Sequence, residues 1–507
     1  MNRSRLVFPS FLFLAFLPTA GYSQAGLWGP WPVSVHEWGV HEFDWTNPAA
    51  TATAVAPFMY TDKTPGVPIP PPGPRVKDLP PDWGIRLKPV LYFHTRANDK
   101  ARVGVEVRFV GGHASSWWPQ VSIYRTPAQV AQAAPFDYNG WMQQQPKFYR
   151  PGQVKVPDDQ RFELAWQDLT ITKTAPPRGL PDHTGQPAWI AQARKVDCDY
   201  VSNGKETEKF LFYEGQTRET PALAVLPANS AMTTDSRATT CYLVNAGDQP
   251  IYDVFVVYRD TKRGVRWSTY LAELPVVPTT NEHESSPGHA VIQIVSIPLP
   301  DFATLAPAPE KGDSLQGAER QFTGRLRDRM LETLTAGAPL PMPGNGPFPR
   351  IPAAPQPPTQ IAMLYADEAA ALDRIWAHDF FSGEGLTIVY REAPAYLDQA
   401  MPLQLFTDAA HYVVLSRCGL VLNQQMNVTD APLVEKTIYQ FMRETDPALR
   451  TQLAAVLSQR RFLALGLLHF YIREGASWPG ASARYDPLVE WLEGGAVGTP
   501  PAAPPGK

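Results

Sequence analysis

The stretch Val35–Trp45 reads V-H-E-W-G-V-H-E-F-D-W and sets two His, two Glu and one Asp among aromatic residues. The valines and aromatic residues around Gly39 favour a strand over a helix. Side chains alternate along a strand. One face of the predicted strand therefore carries Glu37, Gly39 and His41, and the other carries His36, Trp38, Val40 and Glu42.

His and carboxylate side chains are common ligands of Zn²⁺ and common general acids and bases. The stretch does not match the zinc motif H-E-x-x-H, because Val40 stands where that motif needs its second His. Residues four apart on a strand are also about 13 Å apart. A site here must therefore recruit groups from neighbouring strands, unless a bulge at Gly39 changes the spacing.

The neighbouring strands offer two further His. His94 ends one predicted strand and His113 follows another. A divalent metal such as Zn²⁺ with three protein ligands and one open position suits hydrolysis by an activated water. The candidate metal ligands are His36, His41, His94 and His113, and the candidate catalytic carboxylates are Glu37, Glu42 and Glu214. The alternative is a first strand whose His and Glu only hydrogen-bond the fold.

Composition narrows the class of protein. The chain has 507 residues, a net charge of -4 and no long basic run, which argues against a nucleic-acid partner. The high content of Pro (54) and Trp (14) favours strands, turns and extended loops over a helical protein.

The N-terminus has the features of a secretory signal. Arg3 and Arg5 precede the apolar stretch Leu6–Leu17, and Ser23–Ala25 offers a small-x-small cleavage site. We predict that residues 1–25 are removed and that the mature chain is periplasmic or extracellular, with no membrane span. In such an oxidising compartment, Cys198 and Cys241 are the favoured disulfide pair, which leaves Cys418 over as a buried small hydrophobe.

Residues 26–305 show short strands separated by turn residues and no helical period between them. Arg102–Val110 alternates cleanly, and Cys241–Asn245 with Tyr252–Arg259 is typical of a hairpin. The pattern predicts a mainly β protein that begins with an antiparallel β-sandwich over 26–305.

The character changes after Pro300. The pattern predicts helices from Ser314 to Gly337, over Tyr365–Phe381 and over Ala431–Arg443, and one from Asp446 to about Arg473 with a break near Gly466. Leu386–Arg391 and His411–Leu422 are predicted strands. We therefore expect a smaller α+β domain over 313–490, with a Pro-rich spacer at 338–358 and a disordered tail at 491–507.

Several short motifs resemble a family of exported bacterial proteins of unassigned function. They are His36–Gly39 (H-E-W-G), Pro89–Phe93 (P-V-L-Y-F), Trp117–Gln120 (W-W-P-Q), Glu208–Gly215 (E-K-F-L-F-Y-E-G), and, in the second half, Phe322–Leu326 and Tyr390–Leu405. The resemblance spans most of the mature chain and implies that both halves belong together. It implies no activity, and the Pro-rich spacer after Gly337 departs from the pattern.

Two functions fit these observations. The first is an exported binding or recognition protein of the cell envelope or exterior, with a carbohydrate or envelope partner. Trp residues suit stacking on sugar rings, and eight crowd the first 150 residues: Trp28, Trp31, Trp38, Trp45, Trp83, Trp117, Trp118 and Trp141. The alternative is a metal- or carboxylate-dependent hydrolase, with glycans as one substrate class, built around His36–Glu42. No phosphate-binding loop and no G-x-S-x-G serine motif is present.

Overall fold

A computed structural model describes residues 31–44, 58–61, 85–96, 100–131, 162–177, 179–182, 187–217, 219, 221–227, 240–262, 265–276, 295–298, 313–335, 364–408, 410–426, 430–474, 481–494, 496 and 498–502. The predicted signal, the whole Pro-rich spacer and the end of the tail lie outside these residues. Within them the protein is rich in strands, which confirms the mainly β prediction.

The strands of the first part, in chain order, are β1 Trp31–Asp44, β2 Tyr60–Thr61, β3 Ile85–His94, β4 Lys100–Val107, β5 His113–Trp118, β6 Ile123–Tyr124, β7 Leu164–Thr172, β8 Tyr200–Ser202, β9 Thr207–Glu208, β10 Leu211–Gln216, β11 Leu223–Pro227, β12 Thr240–Asn245, β13 Ile251–Asp260, β14 Val265–Leu274 and β15 Val295–Pro298. The second part adds β16 Gly385–Arg391, β17 Leu403–Thr407 and β18 His411–Met426.

The helices are α1 Pro127–Ala131, α2 Ala188–Ala193, α3 Asp313–Thr335, α4 Ala366–Phe381, α5 Pro394–Ala400, α6 Asp430–Phe441, α7 Pro447–Gln459, α8 Arg461–Glu474 and α9 Ala481–Glu493. The long helix predicted from Asp446 breaks at Arg460 and not near Gly466. Gly466 instead lies inside α8, where a Cβ would come within 2.6 Å of the Leu223 carbonyl oxygen, so glycine lets this helix approach β11. No described helix is long and apolar enough to cross a membrane.

The largest sheet has nine strands in the order β14-β13-β16-β18-β1-β3-β10-β5-β2. Strand β1 pairs in parallel with β18 along its whole length, and the other neighbours pair antiparallel. Because β16 and β18 come from the predicted second domain, strand pairing crosses the boundary expected near residue 305. The two halves of the chain share this sheet.

Two smaller sheets complete the β structure. One has the order β17-β4-β7-β8-β9, with β6 paired to β7, and the other has the order β11-β12-β15. The predicted hairpin of β12 and β13 is therefore wrong, because these strands belong to different sheets. The side-chain amide of Asn245 donates to the carbonyl oxygens of Gln249 and Leu274, which holds the connection between the two sheets.

Three large buried clusters fill the space around the nine-stranded sheet. One joins Val35 and Phe93 to Val103, Val105 and Trp166 of the six-stranded sheet. Another lies between the sheet and helices α2, α3 and α4. The third packs the three-stranded sheet and helices α6 to α9 against β13 and β16. On one face of β1, Trp38 and Val40 join the cluster of helices α2 to α4, and on the other face Val35 joins the first cluster and Phe43 the third.

The cysteine prediction is corrected by the structure. Cys198 is a free, buried thiol that donates to the Lys209 carbonyl oxygen at 3.1 Å, so it forms no disulfide with Cys241. The prediction for Cys418 is confirmed, because its side chain is free and fully buried beside β1.

A buried carboxyl group fixes the connection from β4 to β5. The Phe109 N–H donates to Glu163 Oε2 at 3.1 Å, and the Glu163 N–H donates to the Val107 carbonyl oxygen at 3.0 Å. Burial raises the pKa of Glu163 from 4.5 to about 8, although the Phe109 N–H and Arg108 oppose the shift. The folded protein therefore keeps this carboxyl group protonated at a pH where the unfolded chain ionises it.

We expect stability to fall as pH rises from 4.5 to 8, because the unfolded chain gains stability by ionising Glu163 over that window. The shift from 4.5 to about 8 is about 3.5 pKa units, so the loss from this group is at most about 5 kcal/mol, since one pKa unit corresponds to about 1.4 kcal/mol. Glu163→Gln has no ionisable group and should remove most of that loss. Urea unfolding midpoints of both proteins at pH 5 and pH 8 measure it. An identical pH dependence in both proteins would contradict the assignment.

Candidate functional site

Strand β1 lies at the centre of the site because it is flanked by β18 and β3. The register places Glu37 opposite Arg417 on β18, and His36 opposite Tyr92 on β3. Opposite Gly39, strand β3 carries one extra residue, so the bulge lies on β3 and β1 keeps its alternation. The two-face arrangement predicted for Val35–Trp45 follows from this regular course.

The first cluster brings together His36, His94 and Glu368. His94 pairs with Ser34 across β1 and β3, which makes it the diagonal neighbour of His36 on the same face. His36 Nδ1 lies 2.7 Å from Glu368 Oε2, and His94 Nε2 lies 2.8 Å from Glu368 Oε1. Each ring thus directs one nitrogen at one oxygen of a single carboxylate.

Helix α4 supplies Glu368 from its first turn. The Tyr365 N–H, at the start of the helix, donates to Glu368 Oε2 at 2.8 Å and so fixes the side chain. Glu368 is fully buried, His94 is 1 % exposed and His36 is 5 % exposed. Burial alone would raise the pKa of Glu368, but the hydrogen bonds and charges of His36 and His94 lower it to about 2.

The ring of Tyr365 covers both imidazoles. Its centroid lies 4.4 Å from that of His36 and 4.8 Å from that of His94, and the two imidazole centroids are 5.3 Å apart. Burial, followed by the negative charge of Glu368, raises the pKa of Tyr365. The phenol is therefore neutral, and its hydroxyl oxygen is buried although the residue as a whole is partly exposed.

The second cluster lies on the other face of β1 and contains His41, Glu219, Glu392 and Arg86. His41 Nδ1 lies 3.1 Å from Glu219 Oε2 and 3.8 Å from Glu392 Oε1. Arg86 binds Glu392 through both terminal nitrogens, at 2.5 and 3.1 Å, and also contacts Glu219. Glycine at 419 makes room for this network, because a Cβ there would lie 2.7 Å from Glu392 Oε2.

The ligand atoms of either cluster could hold a metal ion, since in each set they lie within 4.8 Å of one another. In the second cluster, however, Arg86 already supplies the positive charge that a metal ion would bring to the carboxylates. Burial alone would raise the pKa of Glu219, yet the charges of Arg86 and then His41 lower it to about 2. None of the described Arg or Lys side chains pairs with Glu368. The first cluster is therefore the better candidate metal centre.

Several predicted site residues lie elsewhere. Glu37 accepts hydrogen bonds from the Tyr213 hydroxyl and from Arg417 Nε, and Arg417 also binds Asp398 at 2.6 Å. Glu42 and Glu214 are buried, 6 % and 4 % exposed, and His113 begins β5 opposite Gln216. None of these four residues belongs to either group of described residues that could hold a metal. The prediction that His36 and His41 act together is wrong, because they lie on opposite faces of β1 in separate clusters.

The described Trp residues of the first part mostly pack inside the protein. Trp38, Trp117 and Trp118 are 0 %, 0 % and 5 % exposed, and Trp31 is half-buried beneath the guanidinium of Arg96. Trp28, Trp45, Trp83 and Trp141 lie outside the described residues. In the described part of the chain, Trp38, Trp117 and Trp118 therefore form core and not a surface for sugar stacking.

The sequence pattern did not predict Glu368, Glu219 and Glu392 as site residues. A signal existed for Glu368, since it stands three residues after the start of a predicted helix, where Glu often caps the first turn. Nothing local marks Glu219 or Glu392, and their role depends on strand order. Comparisons with protein-family models, with curated proteins and with solved structures find no match. The family resemblance therefore stays a prediction.

Glu37 should be a structural residue, and Glu37→Gln tests this. The substitution removes one charge from a buried pair and leaves Arg417 with Asp398, a half-buried partner. Breaking a buried ion pair costs about 3 kcal/mol or more, so we expect a clear fall in the urea unfolding midpoint. Metal content, measured on the same samples, should not change. Metal loss in a variant of normal stability would instead place Glu37 in the site.

Proposed function

We propose that this protein binds one divalent transition-metal ion through His36, His94 and Glu368. The observation that carries the proposal is the convergence of two imidazoles from neighbouring strands on one buried carboxylate from helix α4. Imidazole and carboxylate ligands suit Zn²⁺ and related ions better than Ca²⁺ or Mg²⁺, which prefer all-oxygen sites.

The ligand number favours a hydrolase-type centre. Three protein ligands leave a fourth position, the arrangement of catalytic zinc sites, whereas structural sites have four protein ligands. A bound ion would lower the pKa of a water molecule at that position to about 7 and so supply a hydroxide nucleophile. The residues of this chain would hold the ion, orient it by the fixed carboxylate and exclude bulk water.

The same ligand set would link the two halves of the chain. His36 and His94 come from β1 and β3, while Glu368 comes from helix α4, more than 270 residues away in sequence. Metal binding would therefore stabilise the packing of helices α3 and α4 on the sheet. At a free metal concentration 100 times Kd, the gain would be about 2.7 kcal/mol.

Metal analysis of the purified mature protein tests the proposal. We expect about one ion per chain, and His36→Ala, His94→Ala and Glu368→Gln should each weaken binding by at least about 100-fold, because even changes to groups that only support ligands cost 10–100-fold. Isothermal titration with Zn²⁺ after dialysis against a chelator gives the affinities.

Two controls separate ligand loss from other effects. His378→Ala removes an exposed His from the same helix as Glu368, and His113→Ala removes the predicted ligand that lies outside the cluster. Both should keep the ion. If the parent protein binds no Zn²⁺, Co²⁺, Mn²⁺ or Fe²⁺, the proposed function is wrong. The cluster of His36, His94 and Glu368 is then a structural hydrogen-bond network.

A recognition protein of the envelope is the second candidate and rests on composition alone. The described Trp residues do not favour it, since they are mostly buried. The proposal that the metal centre acts on glycans likewise rests on the sequence alone. Stoichiometric metal with hydrolysis of ester or phosphoester test substrates would favour the enzyme over the recognition protein.

Export is proposed from the N-terminal sequence. In a Gram-negative host we expect the chain to be recovered outside the cytoplasm with Gly26 at its N-terminus, because Ser23–Ala25 offers the cleavage site. Intact-mass measurement of the fractionated protein checks this. Arg3→Glu with Arg5→Glu should reduce export, since it removes the positive region, and a full-length chain in the cytoplasm would overturn the proposal.

A further inference from the structure

Tyr365 packs against the proposed metal ligands and is partly exposed. Its ring lies 4.4 and 4.8 Å from the two imidazole rings. His36, His94 and Glu368 are buried, whereas Tyr365 is partly exposed. Of these four residues, Tyr365 is thus the most exposed, although its hydroxyl oxygen is buried.

The backbone at Tyr365 is held in place. The Leu364 N–H donates to the Leu334 carbonyl oxygen at 3.1 Å, and the Ala369 N–H donates to the Tyr365 carbonyl oxygen at 2.9 Å. The Tyr365 N–H is bound to Glu368 Oε2 at 2.8 Å. Because the backbone is held, the part of Tyr365 that can move is its side chain. This side chain can rotate about two bonds while the ligands stay fixed.

We infer that Tyr365 is a gate over the metal position held by His36, His94 and Glu368, so that only small ligands such as water or azide-sized anions enter while its ring is in place. This inference rests on the proposed metal site. A larger substrate reaches the ion only when the Tyr365 ring swings out. The gate therefore limits both ligand size and the rate at which the ion is lost.

In this proposal the Tyr365 ring, and not its hydroxyl group, shields the metal position. Two variants of Tyr365 therefore separate the roles of the ring and of the hydroxyl group. Tyr365→Phe keeps the ring against both imidazoles, and Tyr365→Ala removes it. The backbone N–H that fixes Glu368 is present in both variants. Tyr439→Ala is the matched control, because Tyr439 is 54 % exposed on α6 and is not a member of the cluster.

The test uses the full-length mature protein loaded with Zn²⁺ or Co²⁺. We expect Tyr365→Ala to release Zn²⁺ to excess EDTA at least about tenfold faster than the parent, since the shell around a metal site controls solvent access. Tyr365→Phe and Tyr439→Ala should release it within about twofold of the parent rate. In the Co²⁺ proteins, thiocyanate, a longer anion than azide, should change the visible spectrum only in Tyr365→Ala.

The outcomes separate the two proposals. If the parent binds no metal, the proposed function fails and the gate fails with it. If all proteins bind one ion but Tyr365→Ala releases Zn²⁺ at the parent rate and thiocyanate acts equally on all, the metal site stands and the gate is overturned. Thermal unfolding of each Zn²⁺-loaded protein is measured alongside. Faster release by Tyr365→Ala at an unchanged unfolding temperature supports the gate, and release that follows a general loss of stability counts against it.

Discussion

The parallel pairing of β1 with β18 is the contact on which the rest of the protein depends. It runs along all 14 residues of β1 and places the start of the described chain beside a strand that begins nearly 400 residues later. Parallel neighbours need a long connection, and here that connection contains most of the fold. The strand is buried on both faces, with helices α2 to α4 on one side and the two smaller sheets and helices α6 to α9 on the other.

Burial on both faces explains why the polar residues of β1 have distant partners. A buried charge or imidazole is costly unless a partner satisfies it. His36 pairs with Glu368, Glu37 pairs with Arg417, and His41 pairs with Glu219. Each partner lies at least 178 residues away in sequence, and two of the three come from the second half. The polar residues of this strand thus help to specify which segments pack against it.

Local patterns predicted the elements well and their assembly poorly. Alternation predicted the strand character and the two faces of β1, and apolar spacing predicted helix α4 to within one residue. The prediction of a hairpin of β12 and β13 was wrong because a connection of five residues can join strands of different sheets as well as paired strands. Of the cluster of His36, His94 and Glu368, the sequence drew attention only to the two His. They are near each other only because β3 pairs with β1, and Glu368 joins them only through tertiary packing. Sequence spacing carries no information on such contacts.

The two clusters on β1 show how one strand can carry similar residues with different roles. Both have His beside carboxylates, and in both a carboxyl group has its pKa lowered to about 2 despite burial. In the second cluster Arg86 is a permanent cation that binds both carboxylates, so the charge is balanced by the chain itself. In the first cluster the partners of Glu368 are two imidazoles, each of which can bind either a proton or a metal ion. A carboxylate whose only positive partners are imidazoles can exchange protons for a divalent ion without moving a side chain far, and one clamped by arginine cannot. This difference, more than the number of ligand atoms, is the reason to propose metal binding by His36, His94 and Glu368 and to expect a structural role for the cluster of His41.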